Sequence, residues 1–226
     1  MATGLLLIAA ALFLLLSNQW EERQAGQSAV DALRTLKSAQ EAATSAKDAQ
    51  DEPLQATAAP ESADAAQPTE LPQPSDDLPM STPTPPDYVL HPQMEMPTVE
   101  ADGERYVGTL EIPVLSLTLP VISEWSYPRL KKSPCRFSGS AYMDDLIIIA
   151  HNYQTHFGLL KKLLPGDEII FTDMAGNAFH YQVAETEILR PTQIDHLTET
   201  DYPLTLLTCT VGGRTRVTVR CDRVEE

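Results

Sequence analysis

Cysteine is scarce: Cys135, Cys209 and Cys221 are the only three in 226 residues. An odd number cannot pair completely within a monomer, so at least one thiol stands free. A Cys135–Cys221 bridge stays open in an oxidising compartment, alongside burial of these thiols as small apolar residues. No Cys-x-x-Cys or similar short ligand spacing occurs, so a zinc site has no support. Asp144-Asp145 reads as a solvated turn, with calcium as the alternative. Basic residues are also few, 16 against 32 acidic ones for a net charge of −16, and a nucleic-acid partner is not expected without a concentrated basic surface.

Long apolar runs are missing except at the start. Ala2 to Leu16 carries no charge, and Trp20 precedes the first charged residues, Glu21, Glu22 and Arg23. Residues 1–20 read as a membrane anchor, slightly short of the ~20 apolar residues a span requires and extended by the interfacial Trp20. A cleaved signal peptide is the alternative, without a small-residue cleavage motif after the run. Because the run has no positive N-terminal flank, a native start upstream of Met1 is expected. The acidity is concentrated next. Glu21 to Glu104 holds 17 Asp/Glu and 4 Lys/Arg, while Arg105 to Glu226 holds 15 and 12. Residues 21–52 are rich in Ala, Gln, Glu and Lys, with Ala29, Leu33, Leu36 and Ala43 at helical spacing, and predict a solvent-exposed helical stalk. Pro53 to Pro97 contains 11 of the 18 prolines. Residues 53–104 therefore read as a disordered, acidic, Pro-rich linker.

After Tyr106 short apolar runs alternate with Gly, Pro, Asn and Asp. The expected strands are Val107–Ile112, Leu115–Ile122, Leu146–Ala150, Glu168–Thr172, Ala178–Leu189, Leu204–Thr210 and Arg216–Val224. Thr155–Leu164, with Phe157, Leu160, Leu163 and Leu164, predicts a short helix, and Pro191–Leu197 a second. Seven or eight strands in about 120 residues make residues 105–226 a compact, mostly antiparallel β-barrel or sandwich.

The chemistry gathers at three points. Thr205-Leu206-Leu207-Thr208-Cys209 ends an apolar strand in a cysteine; Gly212-Gly213 then turns the chain into a strand starting at Arg216. The hairpin sets a thiol beside a guanidinium. A cysteine nucleophile needs a partner for its proton, and an oxyanion needs a fixed cation or donor. Arg216, which directly precedes Val217-Thr218-Val219, suits the second role, with Arg214 as the alternative. His151 follows Leu146-Ile147-Ile148-Ile149-Ala150 where a buried strand meets a loop, and is the candidate proton carrier. His91, His156, His180 and His196 lack that context.

These motifs, TLLTC at 205–209, Arg216-Val-Thr-Val and Ala150-His151-Asn152, occur in the order seen in sortases, and residues 105–226 resemble that family of cell-surface cysteine transpeptidases. The segment from Trp125 to His151 is most similar to class B or class D-like sortases of clostridia. The resemblance implies a closed barrel of about eight strands. It implies that Cys209 attacks a Thr-Gly type bond in an LPxTG-like sorting signal of a secreted surface protein, that His151 protonates the leaving amine, and that Arg216 holds substrate backbone and oxyanion. Thr208 would position substrate or serve the oxyanion site. An amine from a peptidoglycan cross-bridge or a pilin would resolve the thioester; no cofactor is called for. The chain would be a single-pass protein of the cell membrane, N-terminus cytoplasmic and catalytic domain outside. A cysteine peptidase releasing the same peptides to water, and a non-enzymatic surface β-domain with Cys209 merely buried, are the rival readings.

Overall fold

The computed structural model describes residues 2–48, 85–193 and 201–224. Nine strands form one sheet: β1 (Val99–Ala101), β2 (Glu104–Ile112), β3 (Leu117–Ile122), β4 (Cys135–Ser138), β5 (Leu146–Ala150), β6 (Glu168–Asp173), β7 (Ala178–Leu189), β8 (Leu204–Cys209) and β9 (Arg216–Arg223). Their order is β1-β2-β3-β4-β5-β8-β9-β7-β6, and β2 also pairs with β6. That last pairing closes β2 to β9 into an eight-stranded barrel, with β1 added beside β2. Closure removes the sheet edges that would otherwise present unpaired backbone groups. Most pairs are antiparallel; β3–β4 and β5–β8 are parallel.

Each of the seven expected runs contains a strand. Leu115 instead closes a 3-10 turn over Pro113–Leu115 before β3. β1 and β4 were not expected. Cys-Arg-Phe-Ser alternates apolar and polar over only four residues, too short a run to stand out, and pairs along β5. The helix expected over Thr155–Leu164 is a series of turns with one 3-10 turn at Leu160–Lys162. Phe157, Leu160 and Leu163 are buried as their spacing predicts. The loop nevertheless folds back, with Phe157 N donating to His151 O and Gly158 N to Tyr153 O, and so short a segment gains little from helical propensity alone. Of the second expected helix, 191–193 form a turn and 194–197 lie outside the described residues.

The N-terminal half also differs from expectation. Helix α1 (Ala2–Asp48) is not a solvent-exposed stalk: Ala25, Ala29, Ala32 and Leu36 are buried, and the helix packs on β1 and β3. Small side chains at near-heptad spacing let the helix approach the barrel closely, so a thin apolar face suffices. Leu6, Leu7, Ile8 and Leu12 to Leu16 are exposed. Among the described residues no helix is long and apolar enough to cross a membrane. The expected linker lies outside the described residues through 84, but its end is folded: a single turn, α2 (Asp87–Leu90), stacks Tyr88 on Tyr142 with ring centroids 4.7 Å apart, Met96 is buried, and β1 follows. Ordered structure on the barrel thus starts before residue 105, because single apolar residues among prolines can dock on a surface that already exists.

Candidate active site

The site grows from register. In the parallel pair β5–β8, Ala150 stands opposite Thr208. His151 and Cys209, each one residue further on, therefore leave adjacent strands at the same level, and neighbouring strands lie about 4.8 Å apart. β5 is buried along its whole length, which secures its alignment. Across the other ladder Cys209 is opposite Arg216. Gly212 and Gly213, at φ of 84° and 69°, make the reversal between these strands, a backbone form costly for residues with a Cβ. Cys209, His151, Arg216 and Thr208 line one open cleft together with Trp125, Tyr127, Leu130 and Phe137.

His151 is half-buried. Burial first, and then the nearby Lys131 ammonium, lower its pKa, while Glu21 pulls it upward. The net effect favours a neutral imidazole near pH 7, able to accept a proton. Arg216 Nη1 donates to Gly213 O at 2.9 Å and to Thr215 O at 3.1 Å, so the turn it follows braces the guanidinium. Arg214 is exposed in that turn and is not among the residues lining the cleft.

Thr208 has a second partner beside the cleft. It lines the cleft, but its Oγ1 donates to the Ala150 carbonyl at 2.8 Å. A hydroxyl has one proton to give, so in this arrangement the side chain staples β8 to β5 and its donor is engaged. Cys135 and Cys221 are free thiols, fully buried on β4 and β9 in separate core clusters. Burial pushes both well above the ordinary thiol range, Cys135 to about 12. Among the described residues no group of His, Cys, Asp and Glu is arranged to hold a metal ion. Asp144 pairs with Arg223, and Asp145 Oδ1 accepts from Ser140 N. His91 is exposed and His180 pairs with Glu168; His196 lies outside the described residues.

The aromatic wall of the cleft was not anticipated. Trp125 sits between Tyr127 and Phe137, with ring centroids at 5.9 and 5.8 Å, and stays 42% exposed. A single turn, α3 (Tyr127–Leu130), carries part of this wall. It is held by Glu104, whose carboxylate receives Arg129 Nε and Lys132 Nζ, both at 2.7 Å. Burial raises the Glu104 pKa, but Lys132 and Arg129 outweigh it and the net direction is down. The sequence signal was aromatic residues collected in a segment with neither strand nor helix periodicity. Beyond this wall the apolar surface continues through Leu189, Pro191 and Leu207.

A thiol, an imidazole and a guanidinium on neighbouring strand ends of a closed barrel are the chemical parts of a thiol-dependent acyl-transfer centre. Residues 110–224 match the sortase domain, just over half of the chain, and the chain belongs to the sortase family. Among solved structures, sortase A from Corynebacterium diphtheriae is 22% identical with a TM-score of 0.50, covering 54% of this chain and 62% of its own. That likeness supports the fold. Sortase C from Clostridium perfringens SM101 is 26% identical with a TM-score of 0.46, covering 54% of this chain and 71% of its own. A Clostridium perfringens sortase D5 transpeptidase is 21% identical with a TM-score of 0.47, covering 53% of this chain and 79% of its own. This chain spans under two thirds of the length of the first of these. Solved relatives named A, C and D match to similar extents, so the likeness assigns no class. No curated protein sequence matches the chain.

Proposed function

We propose that this chain is a cysteine transpeptidase acting on sorting-signal peptides. The observation that carries the reading is the shared level of His151 and Cys209 at the ends of β5 and β8, with Arg216 opposite Cys209 on β9. In the first half-reaction His151 takes the Cys209 proton as the sulfur attacks the scissile carbonyl, and Arg216 faces the oxyanion. Collapse breaks the C–N bond, the imidazolium returns its proton to the departing amine, and a thioester remains. In the second half-reaction an incoming amine gives its proton to His151 as it attacks the thioester; the new amide leaves and the thiol is restored. Atoms and protons balance without a cofactor.

The donor substrate in this reading is an LPxTG-like signal on a secreted surface protein, and the acceptor is a cell-wall cross-bridge amine or a pilin lysine. The apolar cleft wall suits peptide side chains near the scissile bond. We also infer that the exposed apolar start of α1 anchors the chain to the cell membrane with the barrel outside, since leucines exposed along its length favour lipid over water. Resistance of the full chain to carbonate extraction from membranes, lost when Leu6, Leu7, Leu14 and Leu15 become Ser, tests this; release of the unaltered chain refutes it.

Mass spectrometry of the full chain in detergent, given LPxTG-like and NPxTx-like peptides with and without triglycine, tests the reaction. A product joined to triglycine, absent with Cys209→Ala, is expected. Cleavage by water alone would support a peptidase instead, and no reaction across the panel would favour a non-enzymatic domain.

A further inference from the structure

The loop that carries His151 is gripped from outside the barrel by α1, 132 residues away in sequence. Gln154 N donates to Glu22 Oε1 at 2.7 Å, and Thr155 Oγ1 to Glu22 O at 3.4 Å. Tyr153 OH donates to Glu21 Oε2, also at 3.4 Å. The Tyr153 ring in turn lies against the His151 ring, with centroids 5.0 Å apart and planes inclined by 34°. One helix carboxylate thus holds the loop backbone, and the other reaches the imidazole through a single aromatic ring. Glu21 also pairs with Lys131 at 3.4 Å, so the two charges with opposite effects on His151 are tied to each other and to the helix.

The close approach depends on a glycine. A Cβ at Gly26 would stand 3.1 Å from Thr155 Cγ2, so even Ala requires the threonine side chain to give slightly, and a branched residue would wedge the contact. Docking through Ala29, Ala32 and Leu36 on β1 and β3 does not require any contact with the histidine loop. The polar grip at the other end of the contact is a separate feature.

We propose that α1 is part of the active site and that Glu22, with Glu21 acting through Tyr153, is a positioning residue that holds the His151 imidazole at the level of Cys209. This rests on the reading of His151 as the proton-handling group. An anchored helix that also sets the histidine loop couples the attachment of the chain to the alignment of its catalytic groups.

The test uses the full chain in detergent with Glu22→Ala, Tyr153→Phe and Gly26→Leu. The last raises helix propensity while wedging the contact, so the helix persists and its docking is what changes. Three readings are taken: amide hydrogen exchange over 152–157, the pH dependence of Cys209 alkylation by iodoacetamide, and kcat and KM for peptide transfer. Loss of a hydrogen bond to a charged acceptor should speed Gln154 amide exchange and lower kcat about tenfold in Glu22→Ala and Gly26→Leu, with KM unchanged. The alkylation profile should shift in the same variants, and less in Tyr153→Phe. Unchanged alkylation and kcat in Gly26→Leu, despite faster loop exchange, would overturn the proposal by making the helix a tether only. A rise in kcat would overturn it by making the contact inhibitory. A shifted alkylation profile without peptide turnover in any variant would uphold the positioning and sink the transpeptidase reading.

Discussion

Cys209 and Arg216 stand on a ladder that runs unbroken from Leu204↔Cys221 to Cys209↔Arg216, whereas His151 lies one residue beyond its last ladder pair, Ala150↔Thr208. One side of the cleft inherits its geometry from consecutive backbone pairs closed by a glycine turn. The other depends on a loop whose outer surface meets two carboxylates and a glycine of a distant helix. The thiol and guanidinium are therefore set by the fold of the barrel, and the imidazole by a contact that can be lost while the barrel stays intact.

The largest effects should come from removing the reacting groups on either side. Cys209→Ala should abolish thioester formation, read as loss of the acyl-enzyme mass, and His151→Ala should cost about 10^4-fold in kcat/KM. Retention of substantial turnover in His151→Ala would mean that the proton goes elsewhere and that the adjustable side of the cleft is not catalytic. Arg216→Ala comes next, with about 10^2- to 10^3-fold lost from kcat, the range for a fixed oxyanion donor. A purely KM effect would assign it to substrate binding alone.

The loop that carries His151 should also respond to pH. His156 is fully buried beside the Tyr153 ring, and neither ring nitrogen makes a close hydrogen bond, the Ala25 backbone being the polar contact acting on it. Burial, aided by His151 and opposed by the Ala25 backbone, pushes its pKa down from 6.5 to about 4. His151 on its own loop is the titratable group that acts on it, and the Tyr153 ring lies 5.6 Å away. The folded state then binds fewer protons than the unfolded state between pH 6.5 and 4, so stability falls as pH drops through that window and levels off below it. About 2–3 kcal/mol should be lost between pH 7.5 and 4.5 in urea unfolding, and His156→Phe should flatten most of that slope.

This division also explains what was legible beforehand. The β5, β8 and β9 runs advertise themselves through apolar character and turn glycines, and a strand-end thiol beside a strand-start arginine can be read directly from Thr205 to Val219. The placement of Cys209, His151 and Arg216 at strand ends could be read for that reason. The grip of Glu21 and Glu22 on residues 153–155 was not, since nothing local relates a helix near the N-terminus to a loop 132 residues later. The alanine stripe looked too thin to bury, because a scale of hydrophobicity does not count how closely alanine lets two backbones approach. β4 was missed because four alternating residues are too short a run to stand out in sequence. The commitment of the Thr208 hydroxyl to Ala150 depends on a parallel pairing between segments 58 residues apart, which the sequence around Cys209 does not display.

The Thr208 hydroxyl joins the ends of β5 and β8 directly. Thr208→Val keeps the branched shape but leaves the Ala150 carbonyl without this buried donor, and should cost about 1–2 kcal/mol in thermal or urea unfolding. A few-fold fall in kcat should accompany it as the ends of β5 and β8 loosen. A fall as large as that of Arg216→Ala would return Thr208 to the oxyanion site and remove the distinction between staple and catalytic donor.

The smallest effect is expected at Arg214, two residues before Arg216 and of the same charge. If a general positive potential near the thiol were what matters, the two arginines would be partly interchangeable, and removing either would cost a similar factor at low salt. If a directed donor matters, only the residue in register with Cys209 counts. Arg216 is opposite Cys209 and is braced by the Gly213 and Thr215 carbonyls, while Arg214 projects from an exposed turn where solvent and salt screen its charge. Arg214→Ala should therefore leave kcat and KM within about twofold of the parent at ordinary ionic strength, because surface substitutions away from specific contacts have small effects. A loss at Arg214 that exceeded the loss at Arg216 would show that the turn, not the ladder, supplies the cation, and that the β8–β9 side moves as substrate binds.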